Sequence, residues 1–222
     1  MGAGLDVAPT VAVDAEKSSR PITWAGLKYG ASNLALAVTF LCAALPSAAR
    51  YRSGAANLIW ISGAMIMGAL SLVRVPPRVS RVDIRAISAT IGMLVFPVLM
   101  RPGRGSTGAL NAVAIAVELT GMSLSQVARI YMGRSFGLFP ANRGVVIRGP
   151  FRLVRHPVYL GWLLLTIGFG LAYPTLVNWW LLLGAIPFLL WRIRLEEALL
   201  ADDPEYREYR SRVRYQLIPG LV

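Results

Sequence analysis

The chain has 222 residues, 55% hydrophobic and only 15% charged, with a formal net charge of +12 and a mean hydropathy of +0.55. Soluble domains usually carry about a quarter charged residues, so the composition excludes an ordinary soluble domain and points to an integral membrane protein. Of the 23 basic residues 21 are arginine, clustered between apolar runs, a placement that fits topology-setting and anionic lipid and excludes nucleic acid as the expected partner. One cysteine, Cys42, excludes an internal disulfide and any cysteine-based metal site.

Residues 1–28 contain Asp6, Asp14 and Glu16 and no apolar core before a small-residue cleavage site, so they read as a flexible cytoplasmic tail rather than a signal peptide. The opening MGAGLD has Asp6 where a myristoylation start needs Ser or Thr. Six apolar segments follow, at about 30–49, 54–73, 86–100, 108–130, 158–173 and 176–191. A spanning helix needs about 20 residues; the third, fifth and sixth are short by that measure. Pro97 and Pro187 predict kinks in the third and sixth. Tyr173-Pro174-Thr175 leaves room only for a tight turn, which makes the last two segments a helical hairpin.

With the N-terminus inside, six spans put 19 basic residues in the interior segments and four (Arg50, Arg52, Arg101 and Arg104) outside. The positive-inside rule demands such an asymmetry, and dropping one span reverses it for the later loops. The expected architecture is therefore all-α: a polytopic membrane bundle of about six spans, both termini cytoplasmic, closed by an amphipathic C-terminal helix. In that last helix Asp202 or Asp203 caps, Pro204 and Glu205 fill the first turn, and helix runs to about Arg214 before Pro219-Gly220. Tyr206, Tyr209 and Val213 share a face suited to packing back on the cytosolic mouth.

Several constellations could carry chemistry. The run from Gly103 to Gly108 has dinucleotide-loop spacing but no preceding strand, and reads as a turn. Glu118 is the only acid midway along a predicted span; such a carboxylate either lines a functional cavity or pairs with a neighbour such as Asn33 or Asn57. His156, the only histidine, sits in GPFRLVRHPVYLG between an arginine and a helix-starting proline, with Tyr159 one turn on and Gly161 permitting close approach. With no second histidine it is not a metal ligand. Arg192 and Glu196 are four apart on one helical face, followed at once by Glu197. They suit either a surface ion pair or a carboxylate and guanidinium set out to hold a cationic cofactor and an anionic substrate.

GPFRLVRHPVYLG, a hairpin, then RIRLEEALLADDPEYREYRSRV and IPG together resemble the isoprenylcysteine carboxyl methyltransferase family of integral membrane enzymes, over about residues 134–220. The resemblance divides the chain into the tail 1–28, four N-terminal spans in 29–131, and a methyltransferase core in 132–222. It implies transfer of a methyl group from S-adenosyl-L-methionine to a lipophilic or prenylated acceptor at the cytosolic membrane face, without a Rossmann domain. Carried over by position, the cofactor contacts are Val145, Val146, Phe151, His156, Pro157, Val158, Tyr159 and Glu196. Arg192 meets the acceptor's anionic or nucleophilic group, and Glu118 faces a tunnel open to the bilayer. Phe151 departs from the tyrosine common in the family, and no glutamine stands between Arg134 and Arg148.

Methyl transfer from a sulfonium is an in-line displacement in which alignment supplies much of the rate and no metal is needed. A phenolic acceptor would require a base, for which His156 or Glu118 is available. Two other readings stand beside this one. A membrane reductase of the sterol-reductase type would bind NADPH, with Arg143, Arg148 and Arg152 toward its 2′-phosphate. A transporter or scaffold would use no cofactor, but the polar residues gather at one mouth rather than at the midplane. The preference for arginine over lysine points to a bacterial inner membrane.

Overall fold

The computed structural model describes residues 29–38, 41–42, 55–80 and 82–220, the side chains of 55–60 excepted. The expected cytoplasmic tail and part of the first apolar segment lie outside them. Helix α1 covers residues 29–38, with residues 41–42 also helical. It is followed by α2 (Ala55–Val73), α3 (Ile84–Leu99), α4 (Gly108–Met132), α5 (Pro157–Ala172), α6 (Leu176–Leu200) and α7 (Pro204–Arg212). One short antiparallel pair departs from the all-α expectation: β1 (Val79–Ser80) against β2 (Ala141–Asn142).

The prolines act where their geometry permits. Pro157 and Pro204 open α5 and α7, where the missing N–H is no loss. Helices α3 and α6 continue through Pro97 and Pro187. Helix α6 also runs on to Leu200, well past the expected end at 191, because the charges of its last turns find partners within the fold. Helix α7 stops at Arg212, short of Arg214, where Val213 takes up extended backbone geometry.

The backbones of the α5–α6 hairpin stand apart and meet through side chains, Tyr159 packing with Leu189 and Ile193. Helix α5 lies along α4, and α6 along α3. Glycine explains the first pairing: a Cβ on Gly161 would stand 2.5 Å from the Gly121 carbonyl oxygen, and one on Gly121 would stand 2.5 Å from the Leu165 nitrogen. Small residues thus bring the two backbones into contact, the means by which apolar helices associate without a hydrophobic force between them. The Ser125 hydroxyl donates to the Val158 carbonyl across the seam, at 3.0 Å. In the second pairing rings fill notches: Phe188 lies over Gly92 and Phe96 over Gly184, the two rings 5.6 Å apart.

Successive helices from α2 to α6 alternate in direction, so the bundle has two distinct ends. One gathers residues 73–84, 133–157 and 192–220, and is tied together by β1–β2 and by the Val75 N–H donating to the Arg134 carbonyl at 2.9 Å. The other gathers residues 100–107 and 172–178, where the Asn178 side chain accepts from the Arg101 N–H and donates to the Arg101 and Tyr173 carbonyls. Of the arginines among the described residues, only Arg101 and Arg104 lie at this second end. Two stretches, Gly108–Ser135 and Leu176–Leu200, are long and apolar enough to cross a membrane; Ile61–Val73, Ile84–Leu99 and Pro157–Ala172 are shorter apolar helices.

Candidate active site

The arginine-rich end holds two linked groups of polar side chains, organised by adjacent acids on α6. Glu197 is buried and fully engaged. It accepts from the Arg155 Nε at 2.7 Å and from the Gln216 Nε2 at 2.9 Å, and its Oε1 lies 3.1 Å from His156 Nε2. Residue 156 is the N-cap of α5 but does not cap with its side chain, so the ring is free to turn toward Glu197.

Glu196, half-buried, belongs to the second group. The Tyr159 hydroxyl donates to its Oε2 at 2.6 Å and accepts from the Arg192 Nε at 2.7 Å. Arg192 and Glu196 therefore communicate through a phenol rather than by the direct helix-surface ion pair that their spacing allows. The rest of the Arg192 guanidinium is held by the Thr90 hydroxyl and the Leu138 carbonyl, which fixes it between α3 and the α4–α5 connector. The His156 and Tyr159 rings stack at 5.6 Å, joining the two groups.

Above them lies a strap formed by the C-terminal chain. The Arg155 and His156 backbone N–H groups donate to the Tyr215 and Gln216 carbonyls at 2.9 Å. The Arg155 guanidinium donates to the carbonyls of Val213 and Arg214. These bonds hold the extended chain that follows α7. The predicted α7 face packs as expected: Tyr206, Tyr209 and Val213 bury against Phe151, Val145, Val146 and Val158. The Tyr209 hydroxyl donates to the Phe151 carbonyl at 2.7 Å. Burial raises both the Tyr206 and Tyr209 phenols above the ordinary tyrosine value, so both are neutral. At the rim Asp203 caps α7, and the Asn142 amide that donates to it at 2.6 Å holds its carboxyl below the usual range.

Thus His156, Pro157, Tyr159, Arg192 and Glu196 come together, with Val145, Val146, Phe151 and Val158 beside them under α7. Glu118 does not join them. It sits on the α4–α5 seam against Gly168, ten residues beyond Val158, or about 15 Å along the helix. Asn33, one of its expected partners, accepts instead from Arg74; the side chain of Asn57, the other, lies outside the described residues. Arg143 is turned onto the Val75 carbonyl, while Arg148 and Arg152 are exposed. Reading the sequence notes Glu197 beside Glu196 and the arginine before His156 without giving either a role, and misses Gln216 and Thr90. The doubled acid in the last turns of α6 and the arginine before His156 are visible signals; nothing local marks Thr90 or Gln216.

A helical bundle with apolar helices long enough to cross a bilayer, and with most of its described ionisable groups gathered at one end, suits a membrane protein. Residues 106–203, a little under half of the chain, match the phospholipid methyltransferase family, to which the isoprenylcysteine-type membrane methyltransferases are related. The match covers α4, the connector, α5 and α6, and ends at the cap of α7. No curated protein matches the chain.

Proposed function

We propose that the chain is an S-adenosylmethionine-dependent methyltransferase with six spans, both termini in the cytoplasm of a bacterial cell, and its site at the cytoplasmic mouth. The observation that carries this reading is the Tyr159 hydroxyl held between Arg192 and Glu196, inside the segment matched to a methyltransferase family. Segregation of the arginines to one end of the bundle supports the orientation.

The residues suit the cofactor. Among the described residues Glu196 has one hydrogen-bond partner, Tyr159, which leaves carboxylate capacity for an ammonium or for hydroxyls. Val145, Val146, Phe151 and Val158 offer apolar walls, and the stacked His156 and Tyr159 rings offer aromatic faces to a cation. When bound, S-adenosylmethionine supplies an electrophilic methyl group on a sulfonium. Arg192 uses three of its N–H donors within the fold, and a guanidinium has five. The remainder orient an anionic acceptor, and the fixed positive charge disfavours an amine at that position. We therefore favour a lipophilic carboxylate, as in prenylcysteine carboxyl methylation, or a related small amphiphile. Such an acceptor is already nucleophilic, so the protein's part is alignment and exclusion of water. Glu118 lies deeper, beside the route an acceptor would take from the bilayer.

Calorimetric titration of the detergent-purified protein with S-adenosylmethionine, and separately with NADPH, tests this. Saturable binding of the sulfonium cofactor alone is expected, weakened about 30-fold in Glu196→Gln by loss of a charged hydrogen-bond acceptor. Binding of NADPH alone would turn the assignment to a reductase. An unchanged affinity in Glu196→Gln would remove that residue from the site.

A further inference from the structure

We propose that this end of the molecule carries a second binding site, separate from the first, for the headgroup of an anionic phospholipid. It lies where the Gly149–Arg152 turn meets the chain after α7. A cavity of about 350 Å³ opens there, walled by Arg152, Arg212 and Arg214, with Leu153, Tyr215 and Pro219 around it. Arg212 is paired with Glu208 one turn earlier on α7. The side chains of Arg152 and Arg214 have no hydrogen bond or ion pair among the described residues, and both are exposed. Two uncommitted guanidiniums in one concavity form a phosphate-binding arrangement.

The surroundings select a lipid over a soluble phosphate. Leu153 is 69% exposed, and Tyr215, in the same wall, is 40% exposed. Apolar side chains are costly to leave in water, and a free phosphate makes no use of them; at the boundary between headgroups and acyl chains they are buried. The depth agrees, because Leu153 precedes by only four residues the proline that opens the apolar helix α5. The inference rests on the membrane orientation in the proposed function and not on methyl transfer. One consequence reaches the active site without touching it: the carbonyls of Val213 and Arg214 are held by Arg155, which also holds Glu197. A headgroup seated on Arg214 braces the strap over the site.

The test is native mass spectrometry of the full chain in detergent micelles containing equal amounts of phosphatidylglycerol and phosphatidylcholine. The wild type should retain phosphatidylglycerol preferentially. Arg152→Gln with Arg214→Gln should lower that affinity about 30-fold, the attraction of two arginines at a membrane surface. Arg207→Gln with Arg210→Gln, which removes the same charge from exposed positions of α7, should leave it unchanged. Leu153→Gln, which keeps every charge, should weaken retention in the same direction. Equal losses in the two arginine pairs, or equal retention of both lipids, would overturn the site in favour of diffuse attraction. Displacement of the lipid by inorganic phosphate would overturn it in favour of a soluble ligand. Calorimetry with S-adenosylmethionine on the same samples separates the two proposals: its failure in the wild type removes the methyltransferase reading and leaves the lipid result standing.

Discussion

Glu196 and Glu197 are neighbours in sequence, yet they anchor two regions of opposite character. The Glu197 region is closed: a buried carboxylate with three side-chain partners, one of which also fastens the C-terminal strap. The Glu196 region is open: a half-buried carboxylate with one partner, linked through a phenol to an arginine that has donors to spare. On a helix consecutive residues diverge by about 100°, so α6 turns one acid toward the strap and the other toward the mouth. A saturated buried charge holds a fold together, and an unsaturated one beside it is available for binding. Doubling the acid at the end of a membrane helix provides both.

The sharpest way to break the comparison is to empty the closed region. Glu197→Ala leaves the Arg155 guanidinium buried without its carboxylate, and deleting one partner of a buried pair costs about 3–5 kcal/mol. Equilibrium unfolding in mixed micelles should show a loss of that size, accompanied by release of the strap, read as protease sensitivity after Arg212. Glu196→Gln, by contrast, should change stability by no more than about 0.5 kcal/mol, as for a substitution outside a saturated network. Equal losses would erase the distinction between the regions.

How far the sequence foretells this arrangement depends on the range of the interactions. The helices, the hairpin turn and the apolar face of α7 follow from periodicity and from proline and glycine placement, which are local. So does the face shared by Arg192 and Glu196. Their engagement through Tyr159, however, joins residues 33 and 37 positions apart, and the Arg192–Thr90 contact spans 102. Nothing in the residues around Thr90 distinguishes its hydroxyl from that of Thr166, which bonds back to its own helix. The close backbone pairing of α5 with α4 is equally hidden. It depends on which glycines face each other, and Gly121 and Gly161 find each other only once α4 and α5 are packed. Glu118 shows the reverse: an acid conspicuous in the sequence that the fold keeps apart from the mouth.

A smaller effect should come from Tyr159→Phe, which removes the hydroxyl joining Arg192 to Glu196 and keeps the ring stacked on His156. Hydrogen bonds to charged groups contribute about 1.5–3 kcal/mol, and a stability loss in that range is expected. Double-mutant cycles make the result specific. Tyr159→Phe should couple to Glu196→Gln and be additive with Glu197→Gln, because residues sharing a network couple and independent ones do not. Coupling to Glu197 of equal size would mean that the stacked rings merge the two regions into one.

Asp203 should give the smallest effect, and it tests whether the rim behaves like the closed region or the open one. Its carboxylate accepts from the Glu205 N–H at 2.9 Å, capping α7, and from the Asn142 amide at 2.6 Å, tying α7 to β2. Asp203→Ala should cost about 1 kcal/mol, typical of a lost N-cap. The pH dependence shows whether the charge matters. The Asn142 amide and then the Glu205 and Tyr206 backbone N–H groups hold the folded carboxyl below its unfolded value. A depressed folded value means that the stabilisation is complete above the unfolded value and disappears as pH falls through the folded one. The gap between wild type and Asp203→Ala should therefore be constant near neutrality and should narrow below the ordinary aspartate range. Asp203→Asn, which keeps a capping oxygen, should lie between the two and show no such narrowing. A gap that persists unchanged in acid would mean that the cap works as a neutral acceptor, leaving Glu197 as the carboxylate whose charge closes this end of the bundle.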